Sequence, residues 1–269
     1  MKLTNKAETL KKLRLRNSNI PKLKIYKIKN FKKNKTRVLN NIRLNFKSNI
    51  AIRSSSPNED QLNKSNAGKY KSYLNVNSKN TTDVENKITD VIKSYKKNLN
   101  SGHFFIQEMV KDIFISGVVL TRNLENYSPS LNVNYFIGTD SANVTSGKKG
   151  SKSFVYIENN KYKVNKKFKN LIKSVKEIKK ILKNDHLDIE FIIDKKKQVH
   201  ILQVRNQVIP KKSLKKNNDL IYLEKLEKKI NKLQLKHYSL FGNTTFFGVM
   251  PDWNPAEIIG IKPKPLAVS

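Results

Sequence analysis

His186-Leu187-Asp188-Ile189-Glu190-Phe191-Ile192-Ile193-Asp194, then Lys195-Lys196-Lys197-Gln198, then Val199-His200-Ile201-Leu202-Gln203-Val204-Arg205-Asn206, reads as two apolar strands joined by a polar loop. Successive strand residues point to opposite faces. Asp188 and Glu190 therefore share one face of the first strand, and Gln203 and Arg205 share one face of the second. With Lys195–Gln198 as the loop of a hairpin, Asp194 stands opposite Val199, Glu190 opposite Gln203, and Asp188 opposite Arg205. Two carboxylates, an amide and a guanidinium then meet on one patch. Two chemistries fit it. One is a pair of cross-strand salt bridges on a solvated sheet face. The other is a metal–nucleotide site, since carboxylate and amide oxygens suit magnesium and Arg suits phosphate.

Composition narrows the rest. A chain of 269 residues holds one large or two modest domains with a real core. Without Cys there are no disulfides, zinc–thiolate sites or Cys nucleophiles. The four His (His103, His186, His200 and His237) show no metal-ligand spacing such as H-E-x-x-H. The longest apolar run, Ile113–Leu120, is interrupted by Ser116 and Gly117 and is too short to span a bilayer. The basic N-terminus lacks the apolar stretch of a secretion signal, which predicts a cytoplasmic protein with no membrane partner. The formal charge of +34 points at first to a polyanion. Only seven of the 55 basic residues are Arg, however, and Lys and Asn are spread over the whole chain. That pattern reads as codon bias and predicts no specific nucleic-acid partner, because a selected surface concentrates Arg and aromatics in one stripe. Against such a background, an Arg marks a place where a planar fork is needed. Arg53, Arg122 and Arg205 all fall in motif-like windows.

Along the chain, Lys6–Arg16 reads as a short basic helix, Ile20–Ile28 as an exposed strand, and Asn49–Arg53 as a strand running into the hydroxyl-rich turn Ser54-Ser55-Ser56-Pro57. Such a turn can cradle phosphate or simply reverse the chain. Ser65–Ser72 is a small-residue segment, followed by the strand Tyr73–Val76. Thr82–Tyr95 has helical spacing through Val84, Ile88, Val91 and Ile92, capped by Thr82 or Asp83. Phe104–Val110 and Ile113–Leu120 read as strands paired around Lys111-Asp112, with Gln107 projecting from the first. Asn134–Gly150 is rich in Gly, Ser and Thr but lacks P-loop spacing. After the basic connector Lys211–Asn218, Asp219 caps a helix with a stripe at Leu223, Leu226, Ile230 and Leu233. The last nineteen residues hold four of the eight Pro and end without a closing element.

Several windows together resemble one family. Ile52-Arg53-Ser54-Ser55-Ser56 with Glu59-Asp60, Ser65-Asn66-Ala67-Gly68 and Leu74-Asn75-Val76 resemble the V-R-S-S…E-D…A-G…L-N-V signature of the nucleotide-binding domain of phosphoenolpyruvate synthase and pyruvate phosphate dikinase. Ile106-Gln107-Glu108-Met109-Val110 resembles its V-Q-x-M-V, and Ser116–Asn123 its S-G-V-x-F-T-x-(N/D). Asp188-Ile189-Glu190 and Leu202-Gln203-Val204-Arg205 resemble its D-x-E and L-Q-x-R pair, so the matches run in order over residues 50–206. Asn5–Leu10 stands where the family has G-G-K-(G/A)-x-x-L, which marks Lys6 as the counterpart of its phosphate-binding Lys, although both glycines are absent. Ile137-Gly138-Thr139-Asp140 lacks the Glu of the family's G-L-G-E.

The resemblance implies an α+β, ATP-grasp-like domain with mixed or antiparallel sheets that holds ATP and Mg2+ between two lobes. By position, Arg53 would contact phosphates, Lys6 would assist it, Gly68 would let a covering loop approach, and Gln107 would lie along the nucleotide. Glu190 and Gln203 would hold magnesium with Asp188 in support, and Arg205 would neutralise charge on the transferred phosphoryl group. This implies an ATP-dependent phosphotransferase limited to the ATP half-reaction. The family passes phosphate to a His in a G-G-x-x-S-H swivelling domain, a sequence that does not occur here. The implied partners are that phosphohistidine domain, in cis or in trans, and an unidentified acceptor. The expected organisation is a nucleotide-binding domain over 1–208, a basic linker and amphipathic helix over 209–240, and the truncated start of a further segment over 241–269. An ATP-grasp carboxylate–amine ligase and a non-catalytic, basic polyanion-binding module are the alternatives.

Overall fold

The computed structural model describes residues 3–55, 71–95, 102–124, 128–138, 150–158, 165–207 and 219–233. They fall into two units, Met1–Leu214 and Lys215–Ser269. In the first unit, α1 (Lys6–Lys12) opens on Asn5, whose side chain accepts the Glu8 backbone N–H, and it ends at Leu13 rather than running on to Arg16. After it come β1 (Leu23–Lys27), α2 (Ile28–Lys33), α3 (Lys35–Asn45), β2 (Asn49–Ser55), β3 (Ser72–Asn77) and α4 (Thr81–Lys93). Asn80, not Thr82 or Asp83, caps α4, because its side chain accepts the Asp83 N–H. Then follow β4 (His103–Glu108), β5 (Ile113–Leu120), β6 (Leu131–Ile137), β7 (Lys152–Tyr156), α5 (Lys169–Leu182), β8 (Leu187–Asp194) and β9 (Val199–Asn206). The second unit contains α6 (Asp219–Leu233), on which Leu226 is half-exposed.

Two sheets organise the first unit, with strand orders β1-β4-β2-β3 and β7-β6-β5-β8-β9. All strand pairings between these elements are antiparallel. This is the α+β architecture expected from the sequence. One expected pairing is absent. Phe104–Val110 and Ile113–Leu120 do not form a hairpin: β4 lies inside the first sheet and β5 at the centre of the second. Lys111 and Asp112, the latter at a left-handed φ of 51°, carry the chain from one sheet to the other. Both strands are largely buried, as central strands are. Likewise, the Gly/Ser/Thr-rich stretch expected from Asn134 begins as strand, because Asn134–Ile137 complete β6.

Each sheet is dry on one face. Ile50, Ile52, Phe104 and Ile106 pack with Ile28, Phe31, Leu39 and Ile42 of α2 and α3 and with Val84, Ile88 and Val91 of α4. On the second sheet, Ile115, Val119, Leu187, Ile189, Phe191 and Val204 meet Leu171, Val175, Ile178 and Leu182 of α5, with Leu10 and Leu13 from the first helix and the residue after it. That α5 stripe recurs at the spacing of one helix face. Gly117 sits opposite Phe191 in this core, where an added Cβ would lie 2.5 Å from the Asn134 carbonyl and 2.6 Å from the Phe191 ring. Alternation therefore leaves the opposite faces to carry Ala51, Arg53, Ser55, His103, Phe105 and Gln107 on one sheet, and Ser116, Val118, Asp188, Glu190, Gln203 and Arg205 on the other. In the L-N-V window, Asn75 takes a left-handed φ of 58° beside a register shift and accepts the Asn49 amide at 2.6 Å. A short polar side chain tolerates that conformation, so its place in the motif has a backbone reason.

Candidate functional site

The β8–β9 hairpin brings the expected groups together by a route the alternation alone does not predict. Its turn is three residues long, not four. Asp194 N–H bonds the Gln198 carbonyl at 3.0 Å, Lys197 adopts a left-handed φ of 64°, and Ile193, not Asp194, stands opposite Val199. A three-residue turn closed by a left-handed residue is a common hairpin end, and it shifts the pairing by one. A bulge between Glu190 and Phe191 shifts it back: Phe191 pairs with Ile201, but Glu190 pairs with Gln203 and Asp188 with Arg205. The extra residue, Leu202, lets Val199, Ile201 and Val204 all face the core while Gln203 and Arg205 face out. Its carbonyl accepts the Gln107 side-chain amide of β4 at 3.4 Å. Gln107, itself buried, thus touches the bulge from the other sheet.

Arg53 crosses the same gap. One terminal nitrogen, Nη1, donates to Glu190 Oε2 at 3.2 Å and to Gln203 Oε1 at 3.4 Å. The Arg53 and Glu190 side chains are 12% and 19% exposed, so the pair is screened from water. Beside it, Arg205 sends Nε and Nη2 to a single oxygen, Asp188 Oδ2, at 2.8 and 2.6 Å. Asp188 Oδ1 is buried and has no hydrogen-bond partner, and neither has Arg53 Nε. Burial pushes the Asp188 carboxyl above the usual aspartate range; Arg205 draws it back by charge and hydrogen bond, Glu190 pushes it up, and Lys6 draws it down. Lys6 therefore acts electrostatically on this patch. Its helix is fixed against β2, since Ser55 Oγ donates to Asn5 Oδ1 at 3.0 Å and accepts the Ala7 N–H at 3.4 Å.

Of the seven described residues of the expected set, Arg53 bonds Glu190 and Gln203, Arg205 bonds Asp188, Glu190 and Lys6 act on Asp188 by charge, and Gln107 reaches the backbone carbonyl of Leu202 beside Gln203. Gly68 lies outside the described residues, as do Ser56–Pro57 and Thr139–Asp140. Sequence reasoning passed over Ser116, whose buried Oγ has no partner. It lies on the face that carries Glu190, and its only sequence signal was the Ser of the S-G-V window.

The donor set suits a hard divalent cation. Glu190 and Asp188 supply carboxylate oxygens and Gln203 an amide oxygen, and the bare Asp188 Oδ1 is an oxygen in want of a donor or a cation. Among the described residues no group of three or more His, Cys, Asp or Glu forms a self-sufficient metal cage. A small cation here would complete its shell with phosphate oxygens and water, as magnesium does in nucleotide sites. Among the described residues, no helix is long and apolar enough to cross a membrane.

Residues 2–161 match the family described as pyruvate phosphate dikinase, AMP/ATP-binding domain. No curated protein matches the chain. Among solved structures, the VanG D-Ala:D-Ser ligase from Enterococcus faecalis is 10% identical with a TM-score of 0.41, over 74% of this chain and 50% of that one. D-alanyl-alanine synthetase A from Vibrio cholerae O1 is 13% identical with a TM-score of 0.41, over 71% and 51%. The dinucleotide-forming acetyl-coenzyme A synthetase 1 of Ca. Korarchaeum cryptofilum, in complex with coenzyme A and Ca-AMPCP, is 12% identical with a TM-score of 0.39, over 71% and 86%. The chain spans about half the length of the ligase and the D-alanyl-alanine synthetase it matches.

Proposed function

The chain belongs to the pyruvate phosphate dikinase AMP/ATP-binding domain family, and from that premise we propose that residues 1–208 form an ATP-grasp-like domain that binds ATP with Mg2+ and transfers its phosphoryl group. The observation that carries this reading is the meeting of Arg53 from one sheet with Glu190 and Gln203 from the other, beside the Asp188–Arg205 pair. Phosphoryl transfer asks little covalent chemistry of a protein. It requires that phosphates be positioned and their growing charge neutralised. Arg53 and Lys6 bind phosphate oxygens, Gln107 lies along the nucleotide, and Gly68 gives the covering segment room to approach. Glu190 and Gln203 would hold the cation, with Asp188 supporting them. Magnesium, when bound, would supply neutralisation of phosphate charge. Arg205, held in orientation by Asp188, faces the phosphoryl group in flight. Its partners are a phosphohistidine swivelling domain, supplied in cis or in trans, and a further phosphoryl acceptor of unidentified chemistry, and the setting is cytoplasmic.

Titration calorimetry tests the reading. ATP with Mg2+ binds the wild-type chain, and Arg53→Ala or Arg205→Ala weakens binding by about 1.5–3 kcal/mol, the worth of a charge-assisted phosphate contact. Arg205→Lys is impaired as well, since Lys has no fork. Folded wild-type protein that fails to bind ATP would rule out the proposal.

A further inference from the structure

The two arginines of the site are held very differently. Arg205 grips Asp188 with two short bonds, 2.6 and 2.8 Å, from a neighbouring strand of the same sheet. Arg53 reaches from the other sheet with one nitrogen and makes two long contacts, 3.2 and 3.4 Å, while its buried Nε bonds nothing. A guanidinium that leaves a buried donor bare has not found the partners that would satisfy its fork. The two oxygens it touches, Glu190 Oε2 and Gln203 Oε1, belong to directly paired residues on β8 and β9. They are also the two groups that suit a hard cation by chemistry. One positive group therefore already stands where the donor set calls for another.

We propose that Arg53 is the place-holder for the nucleotide-borne cation: its Nη1 sits between Glu190 and Gln203 when nucleotide is absent, and a divalent ion arriving with the phosphates takes that place. The inference rests on the metal assignment made above and goes beyond it. A guanidinium and a divalent ion cannot share the same two oxygens, because like charges a few ångströms apart in a water-poor gap repel strongly. Occupancy is consequently an exchange. The displaced guanidinium gains phosphate oxygens for its whole fork, including the Nε that is now bare, and Glu190 is neutralised throughout. Arg205 stays in place, since Asp188 holds it. The site then favours the metal–nucleoside triphosphate complex over either component. Metal alone must evict Arg53 without offering it phosphate, and nucleotide alone draws Arg53 off Glu190 and leaves that carboxylate facing phosphate.

Mn2+ binding to the full chain without nucleotide, followed by loss of the free-ion electron paramagnetic resonance signal, reads the exchange directly. Wild type binds Mn2+ weakly. Arg53→Met binds it at least ~10-fold more tightly, and Arg53→Gln does the same should the Met variant fold poorly by circular dichroism. Adding Glu190→Gln to either variant abolishes the gain. Equal Mn2+ affinity in wild type and a folded Arg53 variant overturns the proposal, as does a gain that survives Glu190→Gln or an absence of Mn2+ binding in all folded proteins. ATP titration of wild type is scored separately. Failure there with the Mn2+ gain intact sinks the phosphotransferase reading and leaves the exchange standing, whereas ATP binding with unchanged Mn2+ affinity does the reverse.

Discussion

Arg205→Met should destabilise the chain, and it should do so in a way that depends on the protonation of Asp188. The Asp188 side chain is 12% exposed and receives two hydrogen bonds from Arg205, both at Oδ2, while Oδ1 receives none. Removing the guanidinium leaves an ionised carboxylate buried with both oxygens bare. Breaking a fully buried pair in this way costs about 3–5 kcal/mol, and since Arg205 is itself 26% exposed, water can replace part of what is lost, so about 2–3 kcal/mol is expected near neutral pH. Burial already raises the Asp188 pKa above its unfolded value. For an acid shifted in that direction, the protonated form favours folding: its contribution is full below the unfolded pKa and is lost as pH rises through the folded one. Without Arg205 the folded pKa rises further, so the penalty should shrink as pH falls by about two units from neutral. Urea unfolding at the two pH values measures this, and Asp188→Asn in the Arg205→Met background should restore most of the loss by removing the buried charge. A penalty equal at both pH values and untouched by Asp188→Asn would refute the argument, returning Arg205 to simple packing.

Three further outcomes follow from the same geometry. Gly117→Ala should cost about 3 kcal/mol, because its Cβ would meet the Asn134 carbonyl and the Phe191 ring, and backbone cannot step aside as a flexible side chain can; an unchanged thermal midpoint would contradict this. Gln107→Leu should cost about 1 kcal/mol by leaving the bulged Leu202 carbonyl without its donor, and faster amide exchange in β9 would locate the loss; exchange rates in β9 equal to wild type would argue against the contact. Burial raises the Asp194 carboxyl, but hydrogen bonds from His200 and the Gln198 backbone outweigh it and hold the pKa below the usual range. Its stabilisation is thus present above the unfolded pKa and lost as pH falls through the depressed value, and Asp194→Asn should flatten that part of the acid limb of an unfolding-against-pH profile.

The site was legible where strand parity decides and illegible where distance does. Parity placed Glu190 with Gln203 and Asp188 with Arg205, and the pairing is observed. The turn was misread because its left-handed residue is Lys197, and nothing in a run of Lys marks a position that Gly or Asn usually fills. The pairing survived only because the bulge at Leu202 compensates for the missing loop residue. Two apolar strands around Lys111-Asp112 looked like a hairpin, since local sequence cannot say that the chain is crossing to another sheet. The contact of Arg53 with Glu190 joins positions 137 residues apart, and only the closure of one sheet on the other produces it. The stripe of α5, Leu171, Val175, Ile178 and Leu182, was present in the sequence, diluted among five Lys.

Arginine usage in the folded chain separates composition from chemistry. Arg37 and Arg43 lie exposed on α3, and Arg14 turns one nitrogen back onto the Lys11 and Leu13 carbonyls at the end of α1. These are duties that Lys also performs at helix ends and surfaces. Arg53 and Arg205 do something else. Arg205 closes two N–H groups on one carboxylate oxygen, and Arg53 spans a carboxylate and an amide with a single nitrogen while its stem crosses between sheets. An ammonium is a point charge; it could neutralise either carboxylate, yet it could not orient Asp188 through two fixed donors from one planar group. In a chain where Lys is the default cation, drift alone would have no reason to leave Arg at position 205, where two donors of one fork close on Asp188. Arg53 and Arg205 face Glu190 and Asp188, and there the chain's positive charge is set against little-exposed partners in fixed geometry.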